Sequence, residues 1–164
     1  MDIFDEELLH FWRICNRIGL KYIMIGGVAI NLHGYSRSTE DIDIWIDDTE
    51  ENRNKLHSVF KEYGYADLPS FKTMQFVLGW TYFHLNNGIR LDIMTSVKGL
   101  EEYTFDHCLE AASTATILDI TVPFLQLNQL IEAKIASNRP KDQIDVLALQ
   151  KIKIYLEKDD QKDR

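Results

Sequence analysis

Cysteine is scarce in this chain. Cys15 and Cys108 are the two thiols among 164 residues, too few and too far apart for a disulfide framework. They read as reduced core thiols of a cytoplasmic protein. His107 and Cys108 are adjacent, but no second set of ligands stands at zinc-like spacing, so no zinc site is assigned. No apolar run reaches the length of a membrane span, so no membrane partner is expected. The first seven residues carry four acids and no basic residue, so no secretory signal is expected there. Excess positive charge is also lacking. The net charge of −8 argues against broad adhesion to nucleic acid or anionic membrane, while leaving a local basic groove open. Internal repeats and low-complexity segments are absent. What remains, 45% hydrophobic and 27% charged, suits one globular domain over 1–164. Its core should span about 1–122, with a helical part over about 123–157 and a charged, frayed tail after it.

The informative stretch is Tyr22 to Asp47. Tyr22 to Ile25 is a short apolar run, fit for a buried strand and too short for a helix. Gly26-Gly27 ends it, a short helical pattern follows through Leu32, and Gly34 marks its stop. Glycines at a strand-to-helix turn let backbone approach a ligand closely, and the helix start offers N–H groups to phosphate oxygens. The loop from Tyr35 to Glu40 carries hydroxyls, Ser38 among them, and Arg37, whose guanidinium can hold a triphosphate. Asp41 to Asp47 then alternates strictly. Ile42, Ile44 and Ile46 point one way, and Asp41, Asp43, Trp45 and Asp47 the other.

A second strand, Ile89 to Met94, repeats the pattern with Asp92 opposite three aliphatic residues. If the two strands are neighbours, Asp41, Asp43 and Asp92 converge. At roughly 5 Å and an effective dielectric of about 20, each like-charge pair costs about 3 kcal/mol. Folds are stable by only about 5–15 kcal/mol, so such a cluster calls for a bound cation or a shared proton. Oxygen ligands alone select a hard ion, Mg²⁺ first and Mn²⁺ second.

With Gly26, Gly27, Asp41, Asp43 and Asp92 so arranged, the chain resembles the polymerase β-type nucleotidyltransferase superfamily. The wording Gly-Gly-Val-Ala, His-Gly-Tyr-Ser-Arg-Ser-Thr and Asp-Ile-Asp-Ile is most similar to its small bacterial members, of toxin–antitoxin and antibiotic-modifying type. The resemblance implies transfer of a nucleoside monophosphate from a nucleoside triphosphate, ATP included, to an acceptor hydroxyl, with release of pyrophosphate. Asp41, Asp43 and Asp92 would be catalytic and metal-binding. Gly26, Gly27, Arg37, Ser38 and Lys134 would hold the nucleotide, Lys134 because it falls where the toxin-like members carry a lysine-bearing helix beside that site. The acceptor stays open among small molecule, RNA and protein, as does a homodimer or other protein partner. The alternative is a non-catalytic antitoxin or regulatory module that keeps the fold. His33 reads as structural.

The fold expected is α/β: a small mixed sheet with helices on its apolar face, then two C-terminal helices. Helices are predicted over Asp5–Ile18, Thr49–Tyr63, Leu100–Ala112, Leu125–Ser137 and Pro140–Leu156. Asp67 to Thr73 reads as a loop, and Met74 to Thr95 as antiparallel strands. A three-residue loop Asn86-Asn87-Gly88 would set Phe83 opposite Leu91, Tyr82 beside Asp92 and His84 beside Arg90. Tyr82 and His84 thereby become secondary site candidates. Thr116 to Val122 is β-rich but interrupted by Asp119, and Pro123 suggests that the run lies at an edge or ends there. Lys134 occupies the apolar stripe of its helix. Asp142 and Asp145 read as part of a solvated face, with Lys141–Asp145 as an i,i+4 pair.

Overall fold

The computed structural model describes residues 3–65 and 79–161. In chain order its elements are α1 (Glu6–Ile18), β1 (Tyr22–Ile25), α2 (Gly26–Leu32), β2 (Asp41–Ile46), α3 (Glu50–Tyr63), β3 (Trp80–His84), β4 (Arg90–Met94), α4 (Phe105–Glu110), β5 (Ser113–Ile117), β6 (Ile120–Phe124), α5 (Leu127–Ser137) and α6 (Pro140–Asp160). The strands form one mixed sheet in the order β3-β4-β2-β1-β6-β5. Pairs β2–β4 and β1–β6 are parallel, and the others antiparallel.

Local chemistry fixes the elements near the site. Asp5 accepts from the backbone N–H groups of Glu7 and Leu8 and starts α1. Gly19, at φ 73°, ends it. The helix buries Leu8, Phe11, Trp12 and Cys15, and Phe11 packs on Phe60 and Tyr63 of α3. Beneath this helix pair lie Ile42, Ile44 and Ile46 of β2 with Leu91 and Ile93 of β4, all essentially unexposed. Burying each such side chain contributes about 1.5–3 kcal/mol, which holds the period-two strands in register. The opposite face is left to the aspartates. Trp45 shares that face but is covered: its indole N–H donates to Thr95 O at 3.2 Å, and Phe105 of α4 meets it edge-on.

The hairpin β3–β4 has the expected register, with Tyr82 opposite Asp92, Phe83 opposite Leu91 and His84 opposite Arg90. Gly88 is left-handed at φ 83°, and Leu85 N–H donates to Ile89 O across the three-residue loop. Phe83 lands on the core side, 4.5 Å from the Phe60 ring. The loop expected over Asp67–Thr73 and the strand portion expected from Met74 to Leu78 lie outside the described residues.

Several expectations are corrected. The helix expected over Leu100–Ala112 is only α4, because residues 97–103 are taken up by two tight turns. Thr104 then caps the helix by accepting from His107 N–H. The β-rich run around Asp119 is a hairpin, not one strand. It turns at Leu118-Asp119, with Leu118 left-handed at φ 56°. Pro123 sits on β6, which is interior rather than an edge but ends one residue later, at Phe124, where the registered contact with β1 falls. Gln126 caps α5, so that helix begins at Leu127 rather than Leu125. The last helix continues to Asp160, past the expected Leu156. No helix among the described residues is long and apolar enough to cross a membrane.

Candidate active site

Parallel pairing of β2 with β4 sets Asp43 directly opposite Asp92 and Asp41 opposite Arg90. Because both strands alternate in the same phase, the three carboxylates share one face. One oxygen from each of Asp41, Asp43 and Asp92 lies within 4.8 Å of the other two. Asp92 is buried, and its Oδ1 accepts from Arg90 Nε at 2.7 Å. Asp41 Oδ1 accepts from the Thr39 hydroxyl at 3.3 Å. Asp43 lies between them. Burial first, then the neighbouring charges of Asp41 and Asp92, push its pKa up to about 6. Among the described residues this triad is the one acidic cluster compact enough to hold an ion. An all-oxygen donor set with one carboxyl already straining to keep a proton suits a hard divalent cation.

Both glycines of the turn are required by close approach. Gly26 has φ 65°, and a Cβ there would lie 1.9 Å from Asp43 Oδ2. A Cβ on Gly27 would lie 2.5 Å from Thr39 Oγ1 and 3.0 Å from an Arg37 guanidinium nitrogen. The turn is therefore the bed on which the acidic strand and the preceding loop both rest. Asn31 pins that loop: its side-chain oxygen accepts from Arg37 N–H and its amide donates to Arg37 O, each at 3.0 Å.

Lys134, Arg37 and Arg139 are interlocked with two carboxylates of α6. Lys134 Nζ of α5 lies 2.9 Å from Asp142 Oδ1 and 3.3 Å from Asp145 Oδ2 of α6. Arg37 Nε lies 3.1 Å from Asp145 Oδ1, and Arg139 Nε 2.8 Å from Asp142 Oδ2. Asp142 and Asp145 are 0% and 2% exposed, so the expected solvated face and Lys141–Asp145 pair are replaced by buried counter-ions. Burial alone would raise Asp142, but hydrogen bonds from Arg139 and Lys134 outweigh it and hold its pKa at about 2.

Gly26, Gly27, Arg37, Ser38, Asp41, Asp43, Asp92 and Lys134 all border one cleft of about 930 Å³. A cleft that size is at the upper end for small-ligand sites and has room beyond one nucleotide. Tyr82 and His84 lie further along β3: Tyr82 carries the Arg90 guanidinium 4.5 Å above its ring, and His84 meets Tyr82 edge-on. His33 is structural. Its ring nitrogen is 2.8 Å from Leu125 O, its ring packs on Phe124, and burial lowers its pKa. Sequence reasoning missed Arg90 as the partner of Asp92, although two residues apart on one strand is the same-face spacing. It also missed Asp142 and Asp145. Their spacing with Leu149, three and then four residues, was the available signal of an inward face.

Comparison with known proteins agrees with this fold. No curated protein sequence matches the chain. Among solved structures, the lincosamide antibiotic adenylyltransferase LnuA, in its lincomycin-bound form, is similar with a TM-score of 0.61 at 18% identity, covering 90% of this chain and 97% of that one. A nucleotidyltransferase-fold protein from Thermotoga maritima has a TM-score of 0.60 at 17% identity, covering 92% and 91%. ANT(2″)-Ia, in complex with adenylyl-2″-tobramycin, has a TM-score of 0.51 at 16% identity, covering 90% and 91%. At these identities the likeness shows the fold. The family assignment comes from the sequence match over residues 4–155, by which the chain belongs to the family described as nucleotidyltransferase of unknown function, DUF6036.

Proposed function

We propose that this chain is an active, metal-dependent nucleotidyltransferase, moving a nucleoside monophosphate from a triphosphate to an acceptor hydroxyl. The observation that carries the reading is the Asp41–Asp43–Asp92 cluster abutting a Gly26 that a single methyl group would disrupt. Asp41 and Asp43 would hold Mg²⁺ or Mn²⁺ on the phosphate side, and Asp43 and Asp92 would share an ion on the acceptor side. Bound there, the metal supplies positive charge to the attacking and leaving oxygens of an in-line displacement.

The chain's own residues supply the rest. Arg37, Lys134 and Ser38 would line the phosphates over the Gly26-Gly27 turn, as preorganised charge against the departing pyrophosphate. Asp92 would take the acceptor's proton as the new bond to the α-phosphorus forms and the bond to the bridging oxygen breaks. Its Oδ1 is held by Arg90, which fixes the carboxylate's orientation. Lincomycin and tobramycin, named with two of the similar structures, make a hydroxylated small molecule the first acceptor class to try, before RNA or protein.

The test is incubation with α-labelled nucleoside triphosphates, Mg²⁺ and fractionated cell extract. Label is expected in one fraction, with stoichiometric pyrophosphate, and neither from Asp92→Asn. Absence of both label and pyrophosphate from wild type, with all four triphosphates, would favour a non-catalytic binding module instead.

A further inference from the structure

Five ionised side chains form an alternating chain along one wall of the cleft: Arg139, Asp142, Lys134, Asp145 and Arg37. Three cations against two carboxylates leave a net positive charge. Asp145 has a particular position in this chain. It stands on α6 and reaches a cation from α5 and another from the loop before β2, at 3.3 and 3.1 Å. Both cations border the cleft.

We infer that Asp145 is a positioning residue for phosphate binding, setting Arg37 and Lys134 against the Gly26-Gly27 turn. The inference rests on the nucleotide reading above. Arginine and lysine side chains lose rotamer freedom when fixed, and left alone they extend into water. Here Arg37 is fixed at both ends. Asn31 grips its backbone, and Ser38 O accepts from its guanidinium at 3.1 Å. Asp145 draws in Nε, leaving an outer nitrogen over Gly27. The grip on Nε acts through charge. Arg37 Nε and Asp145 Oδ2 are buried without an aligned hydrogen bond among the described residues. A buried ion pair of imperfect geometry is a poor stabiliser, since an apolar replacement of similar shape does as well or better. Its consequence here is placement: a carboxylate 2% exposed anchors two cations at the edge of the cleft.

The experiment is calorimetric titration of wild type, Asp145→Asn, Arg37→Gln and the double variant with magnesium-loaded ATP, GTP, CTP and UTP. Mn²⁺ binding without nucleotide, read by electron paramagnetic resonance, is the control. Asp145→Asn should weaken the best-bound triphosphate about tenfold, the value of one misplaced charge-assisted contact. Its Mn²⁺ affinity should stay within about twofold of wild type, because the metal triad is separate. Nucleotide affinity equal to wild type overturns the inference. So does tighter binding, the outcome if Asp145 merely tempers positive charge, and so does a parallel loss of Mn²⁺, which marks a general structural defect. If Asp145→Asn alone does not fold, the double variant, lacking one charge of each sign, carries the test. It should bind nucleotide more weakly than Arg37→Gln, through the displaced Lys134, and equality overturns the inference. Wild type binding none of the four triphosphates would instead overturn the nucleotide reading itself.

Discussion

Asp43 on β2 and Asp92 on β4 face each other across a parallel pair of strands, with Asp41 two residues away on the same face. Two strands whose aliphatic residues are locked into one core thus force three acids together on the other side. Without a cation the arrangement opposes folding, and most of the opposition falls on Asp43.

Asp43→Asn should therefore stabilise the metal-free protein while abolishing its response to metal. With an acid whose pKa is displaced from 3.8 to about 6, neutralisation relieves roughly 2–3 kcal/mol at pH 7.5. Denaturant melts in EDTA read the gain. Melts with added Mg²⁺ should show a shift in wild type and none in the variant. A variant less stable than wild type in EDTA would contradict the account.

The same displacement sets a pH dependence. The folded Asp43 holds a proton that the unfolded chain releases near pH 4. The native state therefore binds more protons between about pH 4 and 6, and this contribution to stability is lost as pH rises through 6. In EDTA, Asp43→Asn should gain little on wild type at pH 4 and progressively more as pH rises through 6. Mg²⁺ should raise the wild-type Tm at pH 7.5 and scarcely at pH 4.5, where it competes with that proton. Thermal melts across this range, with and without Mg²⁺, decide the point.

Most of this site was legible in the sequence because strands are periodic and turns are chemical. Period two assigned Ile42 and Asp43 to opposite faces, and Asn86-Asn87-Gly88 fixed the register that brings Tyr82 to Asp92. The counter-ions were missed, because the three-and-four spacing of Asp142, Asp145 and Leu149 marks an inward face without saying what would neutralise it. Asp142 and Asp145 stand in a charged stretch of their helix, and Lys134 and Arg37, brought from other elements, join Arg139 in making their burial tolerable. Likewise α4 is short because of a Thr104 cap and the turns before it, which a thirteen-residue periodic window over 100–112 conceals.

Gly26→Ala should damage the site more than the fold. A left-handed φ costs alanine roughly 1–2 kcal/mol, and the new methyl must also displace the Asp43 carboxylate. The protein should remain folded by circular dichroism while Mn²⁺ affinity drops at least about tenfold, a loss of about 1.4 kcal/mol. Unchanged Mn²⁺ affinity would mean that Asp43 is not a ligand.

Lys134→Met should act in the opposite sense, on stability first. It leaves Asp142 and Asp145 buried with one cation fewer, a loss of about 3–5 kcal/mol for a broken buried pair. Adding Asp142→Asn to Lys134→Met should recover part of that loss. Chemical denaturation of the two variants checks it; an additive double variant would show that the pair is not coupled.

The central claim is that residues 41, 43 and 92 jointly grip a divalent ion. Crystals grown with Mn²⁺ and a non-hydrolysable triphosphate analogue, measured at the manganese edge, address it most directly. The account requires an anomalous peak within bonding distance of all three carboxylates, with the phosphates over Gly26-Gly27. A site that stays free of manganese at saturating concentration, or a peak bound elsewhere, would contradict it.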